Sequence, residues 1–193
     1  MFQQFAASLG QIVLIMKANS LVALEIIAVL WAIQLLNASV NNRLILLGIT
    51  PRELFGLGGI ACSPFIHGNW NHLFFNTIPL FFLLNLMLAY GWHPFVVYTV
   101  NIALFGGLLT WFLGRNAIHV GASGVIMGYM GFLLMQAINQ RTAYTLILGA
   151  IALYYCGSIL LSLLPTDAKT SWEGHVFGFI AGLAVGYGWF IHF

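Results

Sequence analysis

Apolar runs about 20 residues long, separated by short polar breaks, make up most of the chain, and about 20 apolar residues is the length a helix needs to cross a membrane. Six runs fit that length, at residues 18–38, 70–89, 94–113, 123–139, 142–163 and 174–192. Backbone N–H and C=O groups in lipid must be satisfied within the segment, so each run is predicted to be a helix. The expected fold class is therefore all-α: a polytopic membrane protein of six transmembrane helices, forming one domain over residues 1–193. The longest connection, "NNRLILLGITPRELFG", mixes apolar residues with Arg43 and Arg52. It suits an interfacial, partly helical loop.

Parity adds a constraint. The second, fourth and sixth spans run in the same direction, so their N-terminal ends share one side of the membrane. Those ends carry "HGNWNHLFFN", "GASG" and "WEGH". The polar residues of an otherwise apolar chain thus converge near one face.

Composition supports the membrane reading. Of the 193 residues 61% are hydrophobic and 5% charged, against roughly 25% charged in soluble domains. No charged residue occurs between Glu53 and Arg115. That composition makes a lipid bilayer the expected surroundings, and the net charge of +2 suggests no nucleic-acid partner. Cys62 and Cys156 are too few for a disulfide framework and read as small buried hydrophobes. The opening "MFQQFAASLGQIVLIMK" lacks a basic n-region and is not read as a cleaved signal peptide. With the N-terminus cytoplasmic, Lys17 and Arg141 lie inside and Arg43, Arg52, Arg115 and Lys169 outside. The positive-inside rule leans against that orientation.

Candidate chemistry starts from glycines. Gly174, Gly178, Gly182 and Gly186 recur every fourth residue of the last span, and Gly124, Gly128 and Gly131 offer a matching surface on the fourth. Small residues at this spacing let membrane helices approach closely. The two helices are expected to pack in parallel, with Ser123 beside Gly124 and His175 beside Gly174. Alone, Ser123 reads as a helix cap and His175 as a polar contact between helices. Brought to the same depth, they form a nucleophile and its base, because a serine hydroxyl needs a group to take its proton. Glu173 lies about 200° around the helix from His175, so a dyad without a carboxylate is expected. Glu25, within the first span, is expected to face the bundle, and His119 to make a loop hydrogen bond.

His72 and Asn76 are four residues apart and share a helix face, with His67 just before the helix. With the first N–H groups of the fourth span, they are candidate donors to a developing oxyanion; interhelical hydrogen bonding is the alternative. A three-histidine zinc site of His67, His72 and His175 is a rival, but no HExxH motif or carboxylate cluster accompanies it. A small transporter using the polar cluster as a pathway is another.

At these residues the chain resembles the rhomboid intramembrane serine proteases. The resemblance rests on "HGNWNHLFFN", "GASG" and "GHVFGFIAG" on alternate spans in the family's order, and covers about residues 19–192. It implies a six-helix rhomboid-like bundle with a water-filled active site open to the extracytoplasmic side, and a bacterial plasma membrane is expected. It implies Ser123 as nucleophile and His175 as general base. His72, Asn76 and the Ser123 N–H would form the oxyanion hole, supported by His67, Gly121 and Gly124. It implies no metal or other cofactor, and transmembrane segments of other proteins as substrates. The first loop resembles the family's membrane-embedded loop, and the fifth helix with "LLPTDAKTSW" its gate and cap. Two features depart from the pattern. Met127 stands where many relatives carry an aromatic that stacks on the catalytic histidine, a place where a thioether can also pack. The first loop lacks the family's Trp-Arg pair, so no role passes to Arg43 or Arg52. A catalytically silent relative that binds membrane clients is the alternative within the family.

Overall fold

The computed structural model describes residues 2–160 and 171–188. Most of the expected cap, residues 163–170, and His192 lie outside the described residues, as does the end of the last expected span. Six long helices stand where six spans are expected: α1 Phe2–Ser39, α3 Trp70–Leu88, α4 Trp92–Leu113, α5 Ser123–Gln140, α6 Ala143–Leu160 and α7 Trp172–Tyr187. Among the described residues α1, α3 and α4 are each long and apolar enough to cross a membrane by themselves.

The first helix differs from expectation. It begins at Phe2 rather than near residue 18, and its 38 residues extend about 57 Å at 1.5 Å per residue. Lys17, Asn19 and Ser20 interrupt the apolar pattern without interrupting the backbone. The Ser20 hydroxyl donates to the Met16 carbonyl one turn back, and the Asn19 amide donates to the Asn85 carbonyl of α3 at 3.4 Å. A polar group bonded in this way does not stop a helix. Glu25 also departs from expectation: it is exposed on the outer side of α1 rather than turned into the bundle.

The first loop is partly helical, as its composition implies. It contains 3₁₀ turns at Arg43–Leu47, Leu54–Leu57 and Ser63–Phe65 and the short helix α2, Gly59–Cys62. Asn41 and Asn42 turn the chain out of α1 through the left-handed region (φ 55° and 59°), which asparagine tolerates better than most residues.

α5 is the central element. Eleven of its 18 residues are buried, and it packs against α3, α4, α6 and α7. The largest of these contacts is with α7, and the glycines explain it. A Cβ on Gly178 would overlap the Gly124 carbonyl, one on Gly182 the Gly128 carbonyl, and one on Gly186 would lie 2.9 Å from the Phe132 carbonyl oxygen. Both series ascend together, so α5 and α7 are parallel with their backbones in contact. This is the close approach predicted from the four-residue glycine spacing. The amide of Gln136 adds a polar tie by donating to the Gly186 carbonyl at 2.9 Å. On the outside, α1 and α4 present large apolar residues such as Leu14, Leu21, Phe112 and Leu113, a surface suited to lipid.

Candidate active site

The starts of α3, α5 and α7 meet at one end of the bundle, as the parity of the spans requires. Ser123 is the first residue of α5 and is buried. It lines a cavity of about 50 Å³ with Ser63, His119, Gly121, Ser171 and Gly174. A water needs about 10–15 Å³, so a few fit beside the serine. His175 is the fourth residue of α7 and is buried, and its N–H is held by the Ser171 carbonyl at 3.4 Å. A Cβ on Gly124 would sit 3.3 Å from the Gly174 oxygen. The neighbour of Ser123 is therefore against the neighbour of His175.

The α3 cluster is positioned by its cap. Asn69 caps α3 by accepting the His72 N–H at 2.8 Å, a common use of asparagine at this position. The ring of His72 accepts at Nδ1 from the Gly68 N–H, a long bond of 3.4 Å. In the neutral ring the proton is then on Nε2. That nitrogen lies close to Gly121, where a Cβ would be 2.7 Å from it. Gly121 has φ +122°, so both its backbone and its neighbour exclude a side chain there. Its N–H donates to the Ser63 carbonyl at 2.9 Å. Asn76, one turn after His72, is buried beside Gly121, and its amide nitrogen has no hydrogen-bond partner among the described residues. Two side-chain donors thus border the turn that leads into Ser123.

His67 has a structural part. Its Nε2 accepts the N–H of Ala122, the residue before Ser123, at 3.3 Å, and its carbonyl accepts from Asn37 of α1 at 3.3 Å. Its ring stands edge-on to His72 with centroids 5.1 Å apart. Burial, and secondarily the nearby His72, push its pKa down from 6.5 to about 3, so it is neutral at physiological pH. Met127 is fully buried in the apolar core one turn into α5. Among the described residues no group of three His, Cys, Asp or Glu side chains is arranged to hold a metal.

Three residues around the site were not assigned these roles from the sequence. Arg52 of the first loop ties down the end of α4, donating to the carbonyls of Gly114 at 2.7 Å and Phe112 at 3.3 Å and to Asn116 at 2.7 Å. A cation at a helix C-terminus also meets the negative end of the dipole. Arg115 pairs with the buried Glu173 at 3.3 Å. Glu173 therefore faces the loop before α5, in accord with its expected direction away from His175. These partners lie 58 or more residues apart in sequence, so no local pattern announces them.

A family model, the Rhomboid domain, matches residues 55–192, which span every candidate residue of the site. The chain belongs to the rhomboid family. Among its relatives, an uncharacterized protein of Mycobacterium tuberculosis is 36% identical over 173 residues, covering 85% of this chain and 72% of its own. A counterpart in Mycobacterium leprae is 33% identical, covering 85% and 68%. The rhomboid-type serine protease 2 of Saccharomyces cerevisiae is 29% identical over 156 residues, covering 75% of this chain and 60% of its own. With its apolar helices, this rhomboid is an integral membrane protein. At the level of the family, its kinship is with serine proteases.

Proposed function

We propose that the protein is an intramembrane serine endopeptidase acting through Ser123 and His175. The observation that carries this reading is the glycine interlock of α5 and α7. It sets Gly124 against Gly174, and these are the immediate neighbours of the two residues. In the proposed reaction the Ser123 Oγ attacks the carbonyl carbon of a peptide bond and its proton passes to the His175 ring. Collapse of the tetrahedral intermediate breaks the C–N bond, and His175 gives the proton to the leaving amine. Water, activated in turn by His175, then hydrolyses the acyl-enzyme. The developing oxyanion is met by the Ser123 N–H, His72 Nε2–H and the Asn76 amide, donors fixed before the reaction begins.

The substrates proposed are transmembrane segments of other membrane proteins, which must unwind locally to reach a serine at the mouth of a helix. The membrane proposed is a bacterial plasma membrane, with the cavity facing the extracytoplasmic side and one domain carrying the whole site. The test is cleavage of a reporter transmembrane substrate by purified protein in detergent or liposomes. Wild type should cleave, and Ser123→Ala and His175→Ala should not. Cleavage by Ser123→Ala at the wild-type rate would remove the serine from the mechanism.

A further inference from the structure

We propose that His119 is a positioning residue that sets the first turn of α7, and with it His175, relative to Ser123. The proposal rests on the reading of those two residues as a catalytic dyad. His119 belongs to the loop between α4 and α5, and its own backbone is fixed: it exchanges both N–H···O bonds with Ile49, at 2.9 and 3.0 Å. From this anchored position the ring reaches two partners. Nε2 lies 3.2 Å from the Arg115 carbonyl and Nδ1 2.6 Å from the Ser171 hydroxyl. A carbonyl only accepts, so Nε2 carries the proton and Nδ1 accepts from the serine O–H.

Ser171 is the N-cap of α7, yet its side chain does not cap its own helix. A serine at this place ordinarily bonds an N–H of the first turn. Here the hydroxyl faces across to His119, while the Ser171 carbonyl holds the His175 N–H. Two residues on, Glu173 is held by the side chain and the backbone N–H of Arg115, from the same loop. The first turn of α7 is thus gripped at Ser171 and Glu173 by Arg115 and His119.

That loop also runs directly into Ser123. Between His119 and the serine, Gly121 is bonded to Ser63 and Ala122 to His67, so little slack remains. His119, Ser123 and Ser171 line one cavity. The glycine faces bring α5 and α7 together along their length, and the loop fixes where the first turn of α7 stops. A displacement of about 1 Å at reacting groups can cost about 100-fold in rate, and a positioning tie of this kind acts on that margin.

The experiment measures covalent labelling of the purified protein by a fluorophosphonate probe, with kcat and KM for a reporter substrate alongside. The variants are His119→Phe, Ser171→Ala, the two combined, and His119→Asn, whose amide can occupy the place of Nδ1. His119→Phe and Ser171→Ala are expected to slow labelling by about 10- to 100-fold, lowering kcat with KM little changed. The double variant should be no slower than either single one, because both break the same tie, and His119→Asn should recover most of the rate. Additive losses, or labelling at the wild-type rate in Ser171→Ala, would overturn the proposal. Absence of Ser123-dependent labelling in the wild type would instead overturn the nucleophile, and the positioning role with it.

Discussion

Ala122 donates its N–H to Nε2 of His67 across 3.3 Å, which ties the turn bearing Ser123 to the segment leading into α3. The bond requires a neutral His67, and burial supplies the reason it stays neutral. Its folded pKa, about 3, is below the ordinary 6.5, so between these values the unfolded chain takes up a proton that the folded chain refuses.

Stability from this histidine is therefore complete above about pH 6.5 and declines as the pH falls toward 3. The slope is at most ~1.4 kcal/mol per pH unit. Thermal midpoints in detergent between pH 7 and pH 4 should fall for the wild type. His67→Gln should start lower at pH 7 and show a flatter fall; parallel curves for the two proteins would refute the linkage.

At Gly121 two constraints coincide, a φ of +122° and a His72 ring where a Cβ would go. Gly121→Ala should cost about 1–3 kcal/mol from backbone strain alone, with further loss from the contact. Adding His72→Ala should restore only the contact part, because the φ is unchanged. Chemical unfolding of the single and double variants separates the two terms. Full restoration would show that the backbone carries no strain there.

The α5–α7 contact predicts a contrast between two identical changes. In Gly182→Ala the new methyl meets the Gly128 backbone, which cannot move aside, and a loss of about 1–3 kcal/mol is expected. In Gly10→Ala nothing among the described residues lies within 4 Å, so the helix should gain about 0.5–1 kcal/mol from reduced backbone freedom in the unfolded chain. Unfolding midpoints measured side by side check the pair. Equal effects would mean that helix propensity, rather than the interlock, sets the cost at Gly182.

The helices and the α5–α7 interlock were legible in the sequence because both follow from short-range periodicity: apolar runs of spanning length and glycines four apart. Parity predicts that His72, Ser123 and His175 stand at helix starts on one side of the membrane, and the glycine spacing that Ser123 and His175 lie at similar depth. What was not legible depended on contacts across long stretches of chain. Arg52 reaches Gly114 and His119 reaches Ser171, and neither bond leaves a mark in the residues beside it. The start of α1 is not legible because Lys17, Asn19 and Ser20 read as a boundary, whereas Asn19 bonds across to α3 and Ser20 bonds back to Met16 without breaking the helix. The outward direction of Glu25 is not legible either, because a lone acid on a helix does not reveal which face the bundle covers.

Asn76 offers the cleanest separation of function from folding. Its amide nitrogen is buried with no partner among the described residues, and an unmet buried donor costs about 1–3 kcal/mol. A residue kept only for stability would gain from losing that group. Asn76→Leu, similar in size and without the donor, should therefore hold or raise the unfolding midpoint. If the amide serves the oxyanion, reporter cleavage should nevertheless fall by about 10²–10³-fold, mostly in kcat. A variant that is as stable as the wild type and cleaves as fast would remove Asn76 from the machinery. One that loses stability and turnover together would assign it a structural role. Only the split outcome, a fold intact and a rate lost, matches a donor held unsatisfied until the transition state supplies its acceptor.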